Sequence, residues 1–498
     1  MSAGPLADGG PATGGGTPAG PELIELTVGA VAHGGHCVAR HDGRVVFVRH
    51  ALPGERVIAR LEAAGEGDRF WRADAVEVLD PSPDRVTPPC PLAGPGRCGG
   101  CDWQHESLPA QRANKARIVL EQLRRLGGVD PDTVPGLADL RTEALAVPGR
   151  PDDDGLGWRT RMRFAVDAAG HPGLRRHRSH DLVEVPSCPI AHAEVDAVGA
   201  GRRRWPRVEA VEIVAAGVGP DAGPGSDLDA DGVVGGVVVE GVVVEGGRPA
   251  AQRLVVVEPS PDQRVSVPPL GAEASVALRL PDGLRRLRGR TWVEEHVRLD
   301  GVRRSFRVTG AGFWQVHPAA PQVLAEAVLA AADPRPGERA VDLYCGVGLF
   351  TAALALRVGE TGNVLGVESD PRVAADARRN LHDLPQVVLE TGRVERVLPR
   401  LAEPAQGGTG GGWGRADVVV LDPPRAGAGR AVLDAVLGMR PRVVVYVACD
   451  PASLARDVAT AATRGYRLAG LRALDLFPMT QHVECVAALV PSGGHEIS

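Results

Sequence analysis

"VDLYCGVGLFTAALA", residues 341–355, changes its period halfway along. The first residues read as a buried strand, Gly346 and Gly348 turn the chain, and the apolar remainder opens a helix. The alternation continues downstream. Strands are expected at Ala340–Tyr344, Val364–Glu368, Val387–Glu390, Val418–Leu421 and Val443–Ala448, with helices between them. Two late strands are expected near Arg467–Leu476 and Val483–Val490. Strand–helix repeats imply an α/β fold with a doubly wound parallel sheet, whose ligand lies at the carboxyl ends of the strands.

Those ends carry the informative side chains. Gly346 and Gly348 let the backbone approach a ligand closely. Glu368 ends the next strand, where a carboxylate can take both hydroxyls of a ribose. The turn lacks the full G-x-G-x-x-G dinucleotide fingerprint, which disfavours NAD and favours S-adenosylmethionine (SAM), a cofactor with no pyrophosphate to cradle. Cys345, inside the turn, is expected to be packed. Asp422 stands at the tip of the fourth strand in "VVVLDPPRAG", residues 418–427. Amino-methylating enzymes use a related Pro-Pro tip followed by an aromatic residue; here Arg425 follows, which argues against amino methylation.

The fifth strand breaks at Cys449 in "VVVYVACDPASLARD", residues 443–457, and a helix restarts near Pro451. A free cysteine is most often a small buried hydrophobe. Cys449 differs in standing on the ligand side, near the positive end of a helix, which lowers a thiol pKa. Glu484 also puts a carboxylate into the apolar run "TQHVECVAAL", residues 480–489. A salt-bridged core acid is the ordinary reading of Glu484, and a general base is the functional one. Pyrimidine C5 is a poor nucleophile. A thiolate that attacks C6 activates C5, and a base must then remove the C5 proton so that the thiolate can leave. Cys449 and Glu484 provide that pair.

Upstream, the first 21 residues lack the basic start and apolar core of a signal peptide and read as a disordered tail. Residues 22–82 alternate apolar and polar positions between Gly and Asp-Gly turns, as five short strands of a small OB-type barrel would. "CPLAGPGRCGGCDWQH", residues 90–105, spaces Cys90, Cys98 and Cys101 as C-x7-C-x2-C, and Cys188 in "PSCPIAH" is a fourth candidate. Four thiolates suit zinc or an iron–sulfur cluster, and His105 or His192 could replace one ligand in a zinc site. A helix is expected at Pro109–Leu126. Residues 215–250 read as a long Gly-rich insert or hairpin loop without function.

Net charge is −6, which disfavours nonspecific coating of nucleic acid, but the charge is uneven. Gly155–His180 holds six arginines and one acid, whereas Val208–Gly247 holds eight acids and no Lys or Arg. Lys115 is the sole lysine. No apolar run is long enough to span a membrane. A cytoplasmic monomer with no membrane partner is expected.

Together these motifs resemble the uracil-C5 RNA methyltransferases, which make 5-methyluridine in tRNA or 23S rRNA. The resemblance runs from Glu22 to Pro491. It rests on a TRAM-like barrel phrase at residues 34–57, the four cysteines, "FWQVHP" (313–318), "DLYCGVGLF", "LDPPRAG", "YVACDPASLARD" and "FPMTQHVECVAAL" (477–489). It implies a TRAM barrel at 22–82, a central iron–sulfur and RNA-binding domain at 83–309, and a Rossmann-like SAM methyltransferase domain at 310–498. Cys90, Cys98, Cys101 and Cys188 would hold a [4Fe–4S] cluster. Gln315, Tyr344, Gly346, Gly348, Glu368 and Asp422 fall on SAM-binding positions, Cys449 on the nucleophile and Glu484 on the base. The implied reaction is methylation of C5 of a uridine in rRNA or tRNA through a Cys–C6 adduct; the alternative is a SAM-dependent enzyme acting on an amino group or small molecule. The barrel and the arginines of Arg159–Arg178 would hold RNA phosphates while the target uridine flips out. His317, Leu349 and Arg393 depart from the family pattern near the cofactor.

Overall fold

The structure, a computed structural model, describes residues 22–62, 68–150, 153–220, 251–261, 263–402 and 412–493. The expected N-terminal tail, and residues 221–250 of the expected insert, lie outside the described residues. Contacts divide the chain into two units, residues 1–32 with 36–83, and residues 33–35 with 84–498.

The smaller unit is a five-stranded sheet of Leu23–Thr27, Arg56–Leu61, Phe70–Asp80, Arg44–Arg49 and Cys37–His41, in that spatial order. Strict alternation gives it one buried face: in Leu23–Thr27 only Ile24 and Leu26 point inward.

The larger unit is built on a C-terminal sheet of seven strands. They are β1 (Arg339–Leu343), β2 (Asn363–Glu368), β3 (Val387–Thr391), β4 (Val418–Leu421), β5 (Val443–Ala448), β6 (Tyr466–Asp475) and β7 (Glu484–Pro491). Their spatial order is β3-β2-β1-β4-β5-β7-β6, the first five parallel and β7 antiparallel to both neighbours. Every strand lies within a residue or so of its expected place. β4 and β5 are buried at every position, as a sheet covered on both faces requires. The covering helices are α1 (Leu349–Val358), α2 (Pro371–Asn380), α3 (Val394–Ala402), α4 (Gly429–Gly438) and α5 (Pro451–Ala462). Asp-Pro pairs start two of them. Asp370 and Asp450 cap α2 and α5 through their side chains, and proline occupies the first helical position.

The upstream half of this unit shares that core. Val119 and Leu123 of the helix Leu108–Arg125 pack in one apolar cluster with Val419, Val444 and Leu454. A short strand, Thr142–Ala144, adds in parallel to the outer edge of β6. A second sheet orders Gly283–Arg288, Ser275–Leu280, Gln252–Pro259, Val208–Ala216, Arg161–Val166, Pro172–Arg175 and Leu182–Glu184. Val208–Ala216 and Gln252–Pro259 pair antiparallel, so the segment holding the insert joins neighbouring strands. A hairpin of Trp292–Leu299 and Val302–Thr309 follows. Among the described residues no helix is long and apolar enough to cross a membrane.

Candidate active site

After β1 the chain turns sharply. Tyr344, Gly346 and Gly348 all have positive φ, at 66°, 57° and 96°. A Cβ on Gly348 would stand 2.7 Å from Leu381 Cδ1, so only glycine fits there. A Cβ on Gly346 would meet nothing within 4 Å, so this glycine borders open space. The register of β1 with β2 pairs Leu343 with Val367 and brings Glu368 to the turn. Glu368 accepts the Gly346 N–H at 3.0 Å, the Asp370 N–H at 2.8 Å and the Ser369 hydroxyl at 3.2 Å. Inside β1, Asp342 accepts the Thr351 hydroxyl at 2.6 Å, and burial pushes its pKa up to about 7.

The other residues expected around a cofactor differ in how they are held. Tyr344 is half-buried; burial, then Glu395 and Asp457, push its phenol up to about 12. Cys345 is packed as expected, and burial raises its thiol well above the ordinary value. Gln315 is half-buried next to Val316, whose carbonyl accepts the N–H and hydroxyl of Thr160 at 2.8 and 2.9 Å. His317 stacks on Trp158 at 6.4 Å between ring centroids, with its Nε2 unpartnered. Burial lowers its pKa to about 4, so the ring is neutral. Leu349 is buried, whereas Arg393 is exposed and 4.0 Å from Glu395.

Where β5 ends and β7 begins, Ala448 pairs with Cys485. The next step along the pair sets Cys449 beside Glu484 at the carboxyl end of the sheet. The Cys449 thiol is pushed up to about 11, by burial first and then by Glu484, with Asp422 and Asp450 adding and Arg425 opposing. The expected lowering by the helix is therefore not met. The N-cap of α5 is Asp450 itself, a carboxylate at the helix's positive end. Burial works against its charge, but His33 at 3.2 Å and the Ser453 N–H at 2.8 Å hold it ionised, with a pKa of about 2. Glu484 is buried, and burial and then Asp422 raise its pKa well above the usual carboxylate range, against the pull of Arg425. Burial raises Asp422 to about 7. Arg425 is the cation that opposes the shifts of both Cys449 and Glu484. Its Nη2 lies 3.3 Å from Nε2 of His482, which burial and Arg425 keep neutral with a pKa of about 4. Cys449, Asp450, Arg425 and His482 line a cavity of about 40 Å³, room for water but not for a pyrimidine.

Two supports escaped the sequence reading. Asp457 on α5 accepts the Tyr446 hydroxyl at 2.6 Å and the Ala428 N–H at 2.8 Å, which pins the loop after β4 that carries Asp422 and Arg425. A buried acid on the apolar face of a helix was its only signal. Lys115, fully buried, bonds Asp475 at 2.6 Å and the Phe477 carbonyl at 3.0 Å. It thereby holds the start of the segment leading to Glu484.

Cys90, Cys98, Cys101 and Cys188 line one cavity of about 210 Å³, together with Arg159, Arg163 and Arg175. All four are free thiols. Burial, together with neighbouring thiols, raises Cys98, Cys101 (to about 12) and Cys188. Among the described residues no three His, Cys, Asp or Glu side chains close around a single metal ion. His192 instead caps the short helix Ala193–Asp196. The expectation that all the arginines of Arg159–Arg178 hold phosphates is corrected in part. Arg161 pairs with Glu212 at 2.6 Å and also bonds the Gly310 carbonyl at 2.7 Å, so its charge is neutralised inside the sheet, and Arg163 pairs with Glu258 on an exposed face.

The family profile for tRNA (Uracil-5-)-methyltransferase matches residues 414–491, that for the TRAM domain residues 22–75, and that for Protein-L-isoaspartate(D-aspartate) O-methyltransferase residues 314–395. An uncharacterized RNA methyltransferase of Streptomyces avermitilis is 45% identical, covering 95% of this chain and 99% of its own length. Proteins of the same description from Streptomyces coelicolor and Bifidobacterium longum are 46% and 36% identical, covering 95% and 93% of this chain and 93% and 95% of their own lengths. Among solved structures, the Pyrococcus abyssi tRNA (uracil-54, C5)-methyltransferase in complex with S-adenosyl-L-homocysteine is similar in fold, with a TM-score of 0.61 at 20% identity, over 93% of this chain and 99% of that one.

Proposed function

The chain belongs to a family of RNA methyltransferases, and from that premise we propose that it methylates C5 of a uridine in rRNA or tRNA, with SAM as methyl donor. The observation that carries the reading is the meeting of Cys449 and Glu484 at the paired ends of β5 and β7, with Asp422 and Arg425 beside them. Amino methylation has no use for a thiol there. The match of residues 414–491 to the tRNA (Uracil-5-)-methyltransferase profile supports the same chemistry.

The glycine turn fits SAM. Gly346 borders open space, and Glu368 is fixed by backbone N–H groups with its carboxylate turned to the same turn. Glu368 would take the ribose hydroxyls, with Gln315, Tyr344, Gly348 and Asp422 completing the surround. SAM supplies an electrophilic methyl group. Cys449, once ionised, adds to C6 of the uracil, and the C5–C6 π pair moves towards O4. The enolate then closes through C5 onto the methyl carbon, and the sulfonium sulfur keeps the electrons of the broken bond. Glu484, as a carboxylate, removes the C5 proton. That electron pair restores C5=C6 and expels the Cys449 thiolate. Arg425 favours the ionised forms of both Cys449 and Glu484.

Cys90, Cys98, Cys101 and Cys188, which line one cavity, would supply the one thiolate per iron that a [4Fe–4S] cubane takes. Arg159 and Arg175, which also line the cavity, complement the negative charge of such a cluster.

RNA containing 5-fluorouridine tests the reaction. Fluorine at C5 blocks the base step, so a covalent RNA–protein complex on Cys449 is expected. No adduct from folded, SAM-loaded protein on ribosomal and transfer RNA would overturn the mechanism.

A further inference from the structure

The active site leaves unused a concentration of positive charge on the larger unit. Residues 283–307 hold eight arginines and three acids, in a chain of net charge −6. The strand Gly283–Arg288 lies at the edge of its sheet, paired on one side only with Ser275–Leu280. Arg285, Arg286 and Arg288 are exposed along it, and Arg290 is exposed just beyond. Nearby arginines are neutralised, Arg304 by Asp383 and Arg307 by Asp376. Among the described residues, Arg285, Arg286 and Arg290 meet no carboxylate.

Two features suggest more than a solvated face. Arg290 lies over the Trp292 ring at 4.4 Å from its centroid, and Arg307 over the same ring at 4.7 Å. Stacking fixes the plane of a guanidinium and leaves its N–H groups free to bind phosphate. Beside that ring is a cavity of about 440 Å³ lined by Trp292, Arg303, Arg379 and His382, and the buried Nε of Arg303 has no partner. The strand also starts near the cofactor side of the C-terminal sheet. A Cβ on Gly283 would stand 4.0 Å from the guanidinium carbon of Arg372, in the first turn of α2, just after Glu368. Only Leu287 among these exposed residues is strongly apolar, which disfavours a membrane surface.

We propose that Arg285, Arg286, Arg290 and Arg303 form a track that binds the phosphates of the RNA backbone outside the target uridine. The track rests on the reading of the protein as an RNA enzyme. Arg285 and Arg286 point to opposite faces of the edge strand and Arg290 follows just beyond it, so the charge runs along the rim of the sheet, at a rise of about 3.3 Å per residue, rather than sitting at a point. A line suits a polyanion. Such contacts position the nucleic acid and carry no sequence information.

The test is the salt dependence of polyuridylate binding to the full-length protein, read by fluorescence anisotropy, for the wild type and R285S/R286S/R290S. Each lost contact to a single strand should flatten the log–log slope by about 0.7, so the triple variant should be flatter by about 2. It should also raise KM for ribosomal or transfer RNA more than it lowers kcat. An unchanged thermal melt shows that the fold is intact. If the triple variant fails to fold, R286S alone should flatten the slope by about 0.7. A folded variant with the wild-type slope and KM overturns the track, and leaves the arginines as charges that guard an exposed sheet edge. A wild type that binds no RNA and forms no 5-fluorouridine adduct fails differently: the RNA reading falls, and the track with it.

Discussion

A thiol with a pKa of about 11 is almost wholly protonated at neutral pH, so Cys449 must be helped to ionise. Arg425 is the cation that pulls both Cys449 and Glu484 towards their charged forms, and burial works against it at both. Both groups must lose a proton to work, and both sit above their ordinary values. Accordingly kcat/KM should rise with pH up to about 11, where the Cys449 thiol ionises. R425Q removes the opposing charge, which raises both pKa values. Its rising limb should move to higher pH, with the rate at neutral pH falling roughly tenfold per pKa unit. A pH–rate profile checks this, because a merely structural loss would lower the curve without displacing it. The two protein groups also separate by step. C449A should form no adduct with ordinary or fluorinated RNA. E484Q removes a carboxylate that raises the thiol pKa, so attack should proceed while release stalls. A methylated RNA–protein complex should accumulate with ordinary RNA, visible as a band on a denaturing gel. The pair was legible in the sequence because each residue breaks a local rule, a thiol at a strand tip and an acid in an apolar strand. The raised pKa values were not, since they arise first from burial and then from Asp422, Asp450 and Glu484 meeting where strands end.

Elements place these residues, and their boundaries followed closely from local signals. Asp-Pro starts, glycine turns and short apolar runs put the strands of the C-terminal sheet within about a residue of where they lie. What the sequence did not disclose is the partnership of Leu108–Arg125 with this sheet. The helix packs on α5 and sends Lys115 to Asp475 at the end of β6 and to the Phe477 carbonyl, hundreds of residues away. No local period reports such a contact. Lys115 is fully buried, and burial lowers its pKa while Asp475 raises it. Removing Lys115 leaves Asp475 with Arg112 alone, whose Nε lies 3.2 Å away. K115M should therefore cost about 3 kcal/mol in urea denaturation, the low end for a broken buried pair. K115M/D475L, with both charges gone, should recover most of the loss. If the single variant is as stable as the wild type, the pair does not hold the segment leading to Glu484.

At the scale of the whole molecule, the sequence yielded local units and missed how they combine. The N-terminal strands were legible from their alternation between glycine turns, and the TRAM profile matches them at 22–75, whereas the pairing of Leu23–Thr27 with Arg56–Leu61 was not. The pairing of Thr142–Ala144 with β6 was not, because it joins residues such as Thr142 and Ala473. The cysteines lie between these cases. Cys90, Cys98 and Cys101 announce themselves by spacing, but only folding brings Cys188 to the same cavity. A cluster bound there would tie residues 90–101 to Cys188 and close a long loop, which restricts the unfolded chain as a cross-link does. Protein purified without oxygen should then be brown, with broad visible absorption and iron and sulfide in equal amounts. C188S should lose that colour and melt at a lower temperature. It should keep its affinity for SAM, because the residues that line the cysteine cavity and those of the glycine turn are separate sets. Colourless protein containing zinc would overturn the cluster, and an unchanged melt for colourless C188S would show that the cluster does not brace the fold.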